Sequence, residues 1–127
     1  MSNSFADKSV LIVEDELIIA LDLKSSLKKL GFKVLNSVNT GEKAITVTKN
    51  HSPSIVLMDV NLKGKLNGID AAKEILSMDI PVVFLTAQND SITLTHINRL
   101  SCPVLLKPFN IFSLKSTIED VLNSNDN

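Results

Sequence analysis

The sequence predicts an α/β domain in which a five-stranded parallel sheet is wound on both sides by five helices. Two observations support this fold class. Five short apolar runs recur along the 127 residues, and segments with helical spacing lie between them. The runs are uniformly apolar and do not alternate with polar residues, which is typical of parallel strands that are buried on both faces. Strands that alternate with helices in this way are joined by right-handed crossovers.

The first strand and the first helix have the clearest local signals. The run SVLIVE at 9–14 predicts the strand. Apolar residues then step by four, four and three positions, at Ile19, Leu23, Leu27 and Leu30. This spacing predicts a helix with one buried face. Gly31 follows the last of these residues and is a natural end for the helix.

The second and third strands, at 33–38 and 54–59, enclose a weaker helical segment. The β-branched and apolar residues at 45–48 locally favour a strand. We nevertheless predict a helix, because the stretch TGEKA at 40–44 opens a helix well and the alternation requires a crossover. Beyond the third strand, a step of three positions along Ile69, Ala72 and Ile75 predicts the third helix.

The second half of the chain repeats the alternation. Strands are predicted at 81–86 and 103–107, and the loosely spaced ITLTHINRL at 92–100 predicts the fourth helix. The last helix is the clearest of this half, because its apolar residues step by three, four and three positions, at Ile111, Leu114, Ile118 and Val121.

Composition and charge exclude several classes of protein. Hydrophobic residues make up 44% of the chain, and 13 basic against 14 acidic residues leave a net charge of -1. We therefore expect no direct binding of nucleic acid or of anionic membranes. The longest apolar runs have four or five residues, too short to insert into a bilayer. The lone Cys102 excludes an internal disulfide and suits the cytoplasm. One domain is expected at 8–123, between flexible termini at 1–7 and 124–127.

Residues with phosphoryl-transfer chemistry follow four of the predicted strands. They are Glu14 and Asp15 after the first strand, Asp59 at the end of the third, Thr86 and Ala87 at the fourth, and Lys107 at the fifth. The carboxyl ends of parallel strands share one edge of the sheet, where ligands bind. Each residue alone has an ordinary alternative, such as a helix-capping acid or a solvated strand end. The conjunction of all four strand ends favours a shared site.

The residue types at this edge suit a magnesium-dependent phosphoacceptor. Clustered carboxylates repel one another unless a cation lies between them, and their oxygen atoms suit Mg²⁺, for which Mn²⁺ can substitute. A metal on one side and Lys107 on the other would neutralise a phosphoryl group. Thr86 could donate its hydroxyl to a phosphoryl oxygen, and Ala87 leaves space. Asp59 is the central carboxylate and the candidate nucleophile.

Taken together, the motifs resemble the receiver domain of two-component response regulators over residues 8–123. The matching pieces are LIVEDE, IVLMDVNL, NGIDAA, VVFLTA and LLKPF, in the family's order. The resemblance implies the flavodoxin-like strand order 2-1-3-4-5. It also implies a role for each site residue. Glu14 and Asp15 would position magnesium, Asp59 would be the phosphoacceptor, and the backbone carbonyl of Asn61 would be a further metal ligand. Thr86 would be the switch hydroxyl and Lys107 the phosphate-pairing lysine, and Asn61 and Ala87 would also lie beside the phosphate. The Lys107-Pro108 bond is expected to be cis.

The implied function is signalling and not metabolism. The resemblance implies a histidine kinase or histidine phosphotransfer protein as the phosphoryl donor. It also implies a downstream effector that binds through residues 87–123. The domain would catalyse only its own phosphorylation and dephosphorylation. No helix-turn-helix segment remains in this sequence after the last helix, so we expect no DNA-binding output.

Three features depart from the usual family pattern. The position three before the lysine, usually aromatic, is Val104, so we expect Thr86 to act without a coupled ring. The segment between Asp59 and Gly68 is one residue longer than usual, with Lys63-Gly64 where proline is common. The fourth helix region also lacks the small residues that often precede the fifth strand.

Two other functions remain open on the residues alone. A magnesium-dependent phosphohydrolase could use the same aspartyl nucleophile, but the haloacid-dehalogenase type needs a second acid two residues later, and here that position is Asn61. A receiver-like domain that binds a partner without phosphorylation is the other alternative. It is disfavoured because all the site positions carry the required residue types.

Overall fold

The computed structural model describes residues 5–62, 66–87, 95 and 97–125. The strands are β1 (Ser9–Val13), β2 (Lys33–Val34), β3 (Ile55–Asp59), β4 (Val82–Thr86) and β5 (Val104–Leu106). The helices are α1 (Leu17–Leu30), α2 (Gly41–His51), α3 (Gly68–Leu76) and a C-terminal helix (Ile111–Asn125). All strand pairs are parallel, in the order β2-β1-β3-β4-β5. The predicted fold class and strand order are confirmed.

The helix boundaries follow from local backbone chemistry. Gly31 ends α1 in the left-handed conformation at φ 101°, and its N–H bonds to carbonyls of the last turn. Thr40 caps α2 by accepting a hydrogen bond from the Lys43 N–H at 3.2 Å, and Asn67 caps α3 in the same way. The helix predicted after Gly41 is therefore confirmed, because capping and crossover geometry outweigh the β-branched residues.

Two apolar layers cover the sheet, one on each face. On one face, α1 and the C-terminal helix pack against the sheet. Their buried residues are Ala20, Leu23, Leu27, Leu114, Ile118 and Leu122. On the other face, α2 and α3 contribute Ala44, Ile45, Ala71, Ala72 and Ile75. The central strands β3 and β4 are buried along their whole length, as the uniform apolar runs predicted.

The edge strands are shorter than the sequence predicts. The strand predicted at 33–38 ends at Val34, although the backbone N–H of Leu35 still donates to the Val10 carbonyl at 2.9 Å and Val38 forms an isolated bridge with Val13. The strand predicted at 103–107 spans only Val104–Leu106, between two prolines that cannot donate to a ladder.

The folded region also extends past the predicted limits of 8–123. Phe5 is buried and stacks on Phe32 with ring centroids 4.3 Å apart, and the C-terminal helix continues to Asn125. Residues 5–7 and 124–125, which were predicted to be terminal segments, are part of the described structure. Among the described residues, no helix combines the length and apolar composition needed to cross a membrane.

The loop departure at Lys63-Gly64 lies outside the described residues, as does most of the helix predicted at 92–100. Residues 97–99 at the end of that segment are helical.

Candidate functional site

Asp59 lies at the carboxyl end of the central strand β3, and its surroundings hold it firmly. The residue is 4% exposed. The next residue, Val60, donates its N–H to the Leu85 carbonyl at 3.2 Å. Gly68 at the start of α3 packs directly against this strand end. A Cβ atom there would collide with the Asp59 carbonyl oxygen and approach the Val60 Cα to 2.9 Å, so the position accepts only glycine without movement.

Glu14 follows β1 on the adjacent strand and is also buried. Its backbone N–H donates to the Val38 carbonyl at 2.9 Å, which continues the β1–β2 hydrogen bonding beyond the ladder. The side chain is fully shielded from solvent. Its Oε2 accepts a hydrogen bond from the Glu16 N–H at 3.2 Å. A buried carboxylate needs such partners to be tolerated.

Lys107 directly follows β5 and contacts both acids. Its backbone N–H donates to the Thr86 carbonyl at 2.8 Å. Its Nζ lies 2.8 Å from Glu14 Oε1 and 3.4 Å from Asp59 Oδ2, and its side chain is only 13% exposed. The predicted convergence of acids and ammonium on one edge of the sheet is therefore present in the structure. Asp59 is partnered, which explains a carboxylate at the end of a buried strand.

Electrostatics at this edge favour a cation. Burial, followed by the hydrogen bonding and charge of Asp59, raises the pKa of Glu14 from 4.5 to about 7, against the opposing effects of Lys107 and the Glu16 N–H. Burial lowers the pKa of the Lys107 ammonium, but Glu14 and Asp59 outweigh this effect and raise it above its ordinary value. Lys107 is therefore charged at neutral pH, and a cation near Glu14 would favour the ionised form of that carboxyl.

The acids also have the arrangement that a divalent ion needs. One carboxylate oxygen from each of Glu14, Asp15 and Asp59 lies within 4.8 Å of the others. Oxygen donors at this spacing fit Mg²⁺ or Mn²⁺, which keep several water ligands. Asn61 adjoins the cluster, since its N–H donates to Asp59 Oδ1 at 2.9 Å.

Thr86 and Ala87 end β4 beside these groups. Thr86 is 1% exposed and pairs across the ladder with Leu106. The Lys107-Pro108 peptide bond is cis, as the resemblance implied. Val104, at the position that is usually aromatic, is half-buried and packs against the α2/α3 layer.

A cleft of about 710 Å³ opens beside the acids and gives access to them. Five of the predicted site residues line this cleft: Asp15, Asp59, Asn61, Ala87 and Lys107. Five further residues line it, and three of them, Ile19, Asp22 and Phe109, were not assigned to the site from the sequence. Helical spacing offered a signal for two of them, because Ile19 and Asp22 lie three positions apart on α1 and therefore share one face of the helix.

Comparison with known proteins gives one consistent result. A model of the response regulator receiver domain matches residues 10–119. The transcriptional regulatory protein PdtaR of Mycobacterium tuberculosis is 37% identical over 88% of this chain and 55% of its own length. The chemotaxis protein CheY of Bacillus subtilis is 30% identical over 90% of this chain and 97% of its own.

A solved structure agrees with these relatives. The signal receiver domain of a modulated diguanylate cyclase from Desulfovibrio desulfuricans has a TM-score of 0.89 at 31% identity and covers 93% of this chain and 95% of its own. The chain spans about half the length of PdtaR, 55%. The likeness therefore concerns the domain, and the activity of the longer relative does not transfer with it.

Proposed function

This chain belongs to the response regulator receiver domain family, and we propose that it accepts a phosphoryl group on Asp59 from a phosphohistidine. The donor would be a histidine kinase or a histidine phosphotransfer protein. The observation that carries the proposal is the contact of Lys107 with both Glu14 and Asp59 at the carboxyl ends of the strands. It pairs a buried candidate nucleophile with a cation that suits the charge of an arriving phosphate.

In this proposal the Asp59 carboxylate attacks phosphorus, an oxygen–phosphorus bond forms, and the nitrogen–phosphorus bond to the donor imidazole breaks. Lys107 offsets negative charge on the phosphoryl oxygens, and Thr86 donates its hydroxyl to one of them. Ala87, whose side chain is a single methyl group, leaves room for the phosphoryl group. The Asn61 N–H, which already bonds to Asp59 Oδ1 at 2.9 Å, orients the carboxylate.

Magnesium, or manganese in its place, would be held by Glu14, Asp15, Asp59 and the Asn61 backbone carbonyl. When bound, it supplies positive charge that stabilises the transferred phosphoryl group. The spacing of the three acids within 4.8 Å supports this set.

The test of the acceptor is phosphorylation by a small acyl phosphate with magnesium, followed by intact mass spectrometry. We expect one added phosphoryl group that is labile in acid, unlike phosphoserine, which is stable in acid, and we expect the adduct to be absent in Asp59→Asn. Labelling that persists in Asp59→Asn, or that maps to a serine or histidine, would contradict the proposal. Removing Lys107 as Lys107→Ala should leave metal binding in place and impair phosphorylation.

A metabolic phosphohydrolase is the rival function. Asn61 is exposed and occupies the position where a haloacid-dehalogenase-type enzyme needs its second acid. We therefore propose that the domain catalyses only its own phosphorylation and dephosphorylation. Repeated turnover of a generic phosphate ester would favour the hydrolase, whereas a stoichiometric adduct favours the receiver.

We also propose that the phosphorylated domain signals through residues 87–123 to an effector. The described part of this surface carries two exposed apolar side chains, Leu106 at 52% and Phe112 at 79%. Large exposed apolar side chains are available for contact with a partner protein, and they mark an interaction site where they form one contiguous patch. A pull-down with the phosphorylated domain, compared with Asp59→Asn, tests this assignment.

A further inference from the structure

A further cavity lies at the amino ends of β4 and β5, whereas Thr86 and Lys107 lie at the other ends of these strands. Its volume is about 630 Å³, a size that is typical of sites for small organic molecules. Among the described residues, those that line this cavity are all different from the residues that line the cleft beside Asp59. A ligand bound here would therefore leave Asp59 open to phosphorylation.

Two loops of similar design line this cavity. One leads from α3 to β4, and the other leads from the helical residues 97–99 to β5. Each contains a residue in the left-handed conformation, Asp79 at φ 63° and Ser101 at φ 57°, whose N–H donates to the carbonyl three residues earlier at 3.0 and 3.1 Å, respectively. A proline follows two positions later in both loops, at Pro81 and Pro103, so neither segment continues as a helix. Because β4 and β5 are neighbours in the sheet, the loops lie side by side and residues of both line the cavity.

Two helices end at the cavity and give it a negative potential. Leu76, the last residue of α3, and Ser124, in the last turn of the C-terminal helix, both line it. The carboxyl-terminal end of a helix carries a partial negative charge from its unpaired carbonyl groups. Among the described lining residues, the charged ones are Asp79 and Asp120, both exposed. Charges of one sign in a cleft attract ions of the opposite sign, so this cavity favours cations.

Most of the remaining lining is apolar. The apolar side chains are buried or half-buried, and they include Leu76, Ile80, Val82, Leu100 and Val121. Exposed carboxylates pair only weakly with a cation in water, so apolar contact has to supply part of the affinity. A bare metal ion makes no use of these walls, and an apolar anion is repelled by the two carboxylates. The lining is therefore complementary to a cation that has an apolar body.

From this arrangement we propose that the cavity binds a small organic cation, a molecule with one ammonium group and an apolar body. The ammonium group pairs with Asp79 and Asp120, and the apolar body packs against the aliphatic walls. The volume of about 630 Å³ matches a small molecule, whereas bound peptide segments lie along a sheet edge or a long groove. The site requires neither a metal nor a phosphoryl group, so it can be tested independently of the proposed function.

Cys102 offers a direct measurement of the potential, because it is the single cysteine of the chain and lines the cavity half-buried. The thiol is modified with a trimethylammonium-ethyl or a sulfonatoethyl methanethiosulfonate, which differ in charge. The ratio of the two rates cancels the intrinsic reactivity of the thiol. We expect the ratio of cationic to anionic rates to be about tenfold higher in the folded protein than in urea. Asp79→Asn with Asp120→Asn should abolish this difference, whereas Glu74→Gln, an exposed acid of α3 outside the lining, should preserve it.

Three probes with one apolar body then test binding: 4-phenylbutylammonium, 4-phenylbutanol and 4-phenylbutyrate. Each is titrated for protection of Cys102 from N-ethylmaleimide. We expect the ammonium compound to protect at a concentration at least about tenfold lower than the alcohol, and the double Asn variant to lose this preference. The butyrate should protect least.

The inference is overturned if the three probes protect equally, if the butyrate protects best, or if Glu74→Gln removes the preference as fully as the double Asn variant. Tighter protection by a short peptide of leucine and lysine would assign the cavity to a protein partner instead. Protection that rises with protein concentration alone would assign it to a second copy of this chain. Either result would overturn the small-molecule site and leave the test of phosphorylation at Asp59 unaffected.

Discussion

Strands β3 and β5 each supply one side of the ion pair between Asp59 and Lys107, but they are built differently. All five residues of β3 are buried, and the strand lies between β1 and β4. The strand β5 has three residues, lies at the edge of the sheet, and leaves Leu106 half exposed. The acceptor is therefore attached to the most constrained part of the sheet, and its cationic partner to a less constrained part. The difference indicates that Asp59 is held in a fixed position, whereas the edge strand β5 and Lys107 have more freedom to move when Asp59 is phosphorylated.

The largest expected effect comes from truncating one leucine on each strand. Leu57 on β3 is completely buried, so Leu57→Ala should lower the free energy of unfolding by about 3 kcal/mol through lost burial and a cavity. Leu106→Ala on β5 should change it by no more than about 0.5 kcal/mol. Because the chain has no Trp or Tyr, urea unfolding is best followed by circular dichroism. Equal losses in the free energy of unfolding at Leu57 and Leu106 would show that β3 and β5 do not differ in this way.

A smaller effect is expected at the two glycines that begin α2 and α3. Gly68→Ala pushes a methyl group into the Asp59 backbone, and we expect it to cost about 1–3 kcal/mol and to slow phosphorylation of Asp59. Gly41→Ala is the matched control, because its nearest neighbour is the Ala71 side chain at 3.0 Å. It should be less destabilising and leave phosphorylation unchanged. If Gly41→Ala slows phosphorylation equally, the tight packing at Gly68 has no special role.

The pH dependence of stability tests the buried carboxyl group of Glu14. The pKa of Glu14 is raised from 4.5 to about 7, so between these values the folded metal-free protein retains a proton that the unfolded chain has released. This contribution to stability is present below the lower value and is lost as pH rises through the higher one. Urea unfolding with a chelator should show this decline, and Glu14→Gln should remove it. If the stability of Glu14→Gln declined with pH as in the wild-type protein, the assignment of this decline to Glu14 would be contradicted.

The smallest expected effect is at Val104. A phosphoryl mimic such as beryllofluoride should shift amide resonances within residues 87–100 through Thr86 and its backbone, while Val104 barely changes rotamer. Valine has little reach and few rotamers, and Val104 already packs in the α2/α3 layer. Chemical shifts with and without the mimic test this expectation. A large rotamer change at Val104 with residues 87–100 unchanged would show that the response takes another route.

The sequence predicted most of the fold because its signals are local or repeated. Uniform apolar runs identified β3 and β4, and the order of the motifs implied the topology. The side chains that meet in the cluster followed from the rule that parallel strands end at one edge. Burial of Phe5 was not predicted, since a stacking partner at Phe32 is a tertiary feature. Likewise, only the folded geometry distinguishes Glu14 from Asp15, because the two acids are adjacent in sequence and differ in which one reaches Lys107.

The separation of the ion-pair partners along the chain has a consequence for the order of folding. Lys107 is 93 positions from Glu14 and 48 from Asp59. Pairing of β1 with β3 brings the two acids together, and desolvating them without a cation is unfavourable. A chain that has paired β1 with β3 but has not yet docked β5 would therefore carry a charge conflict that Lys107 relieves. Docking of β5 completes the sheet and relieves this repulsion in one step, which makes folding of the domain more cooperative.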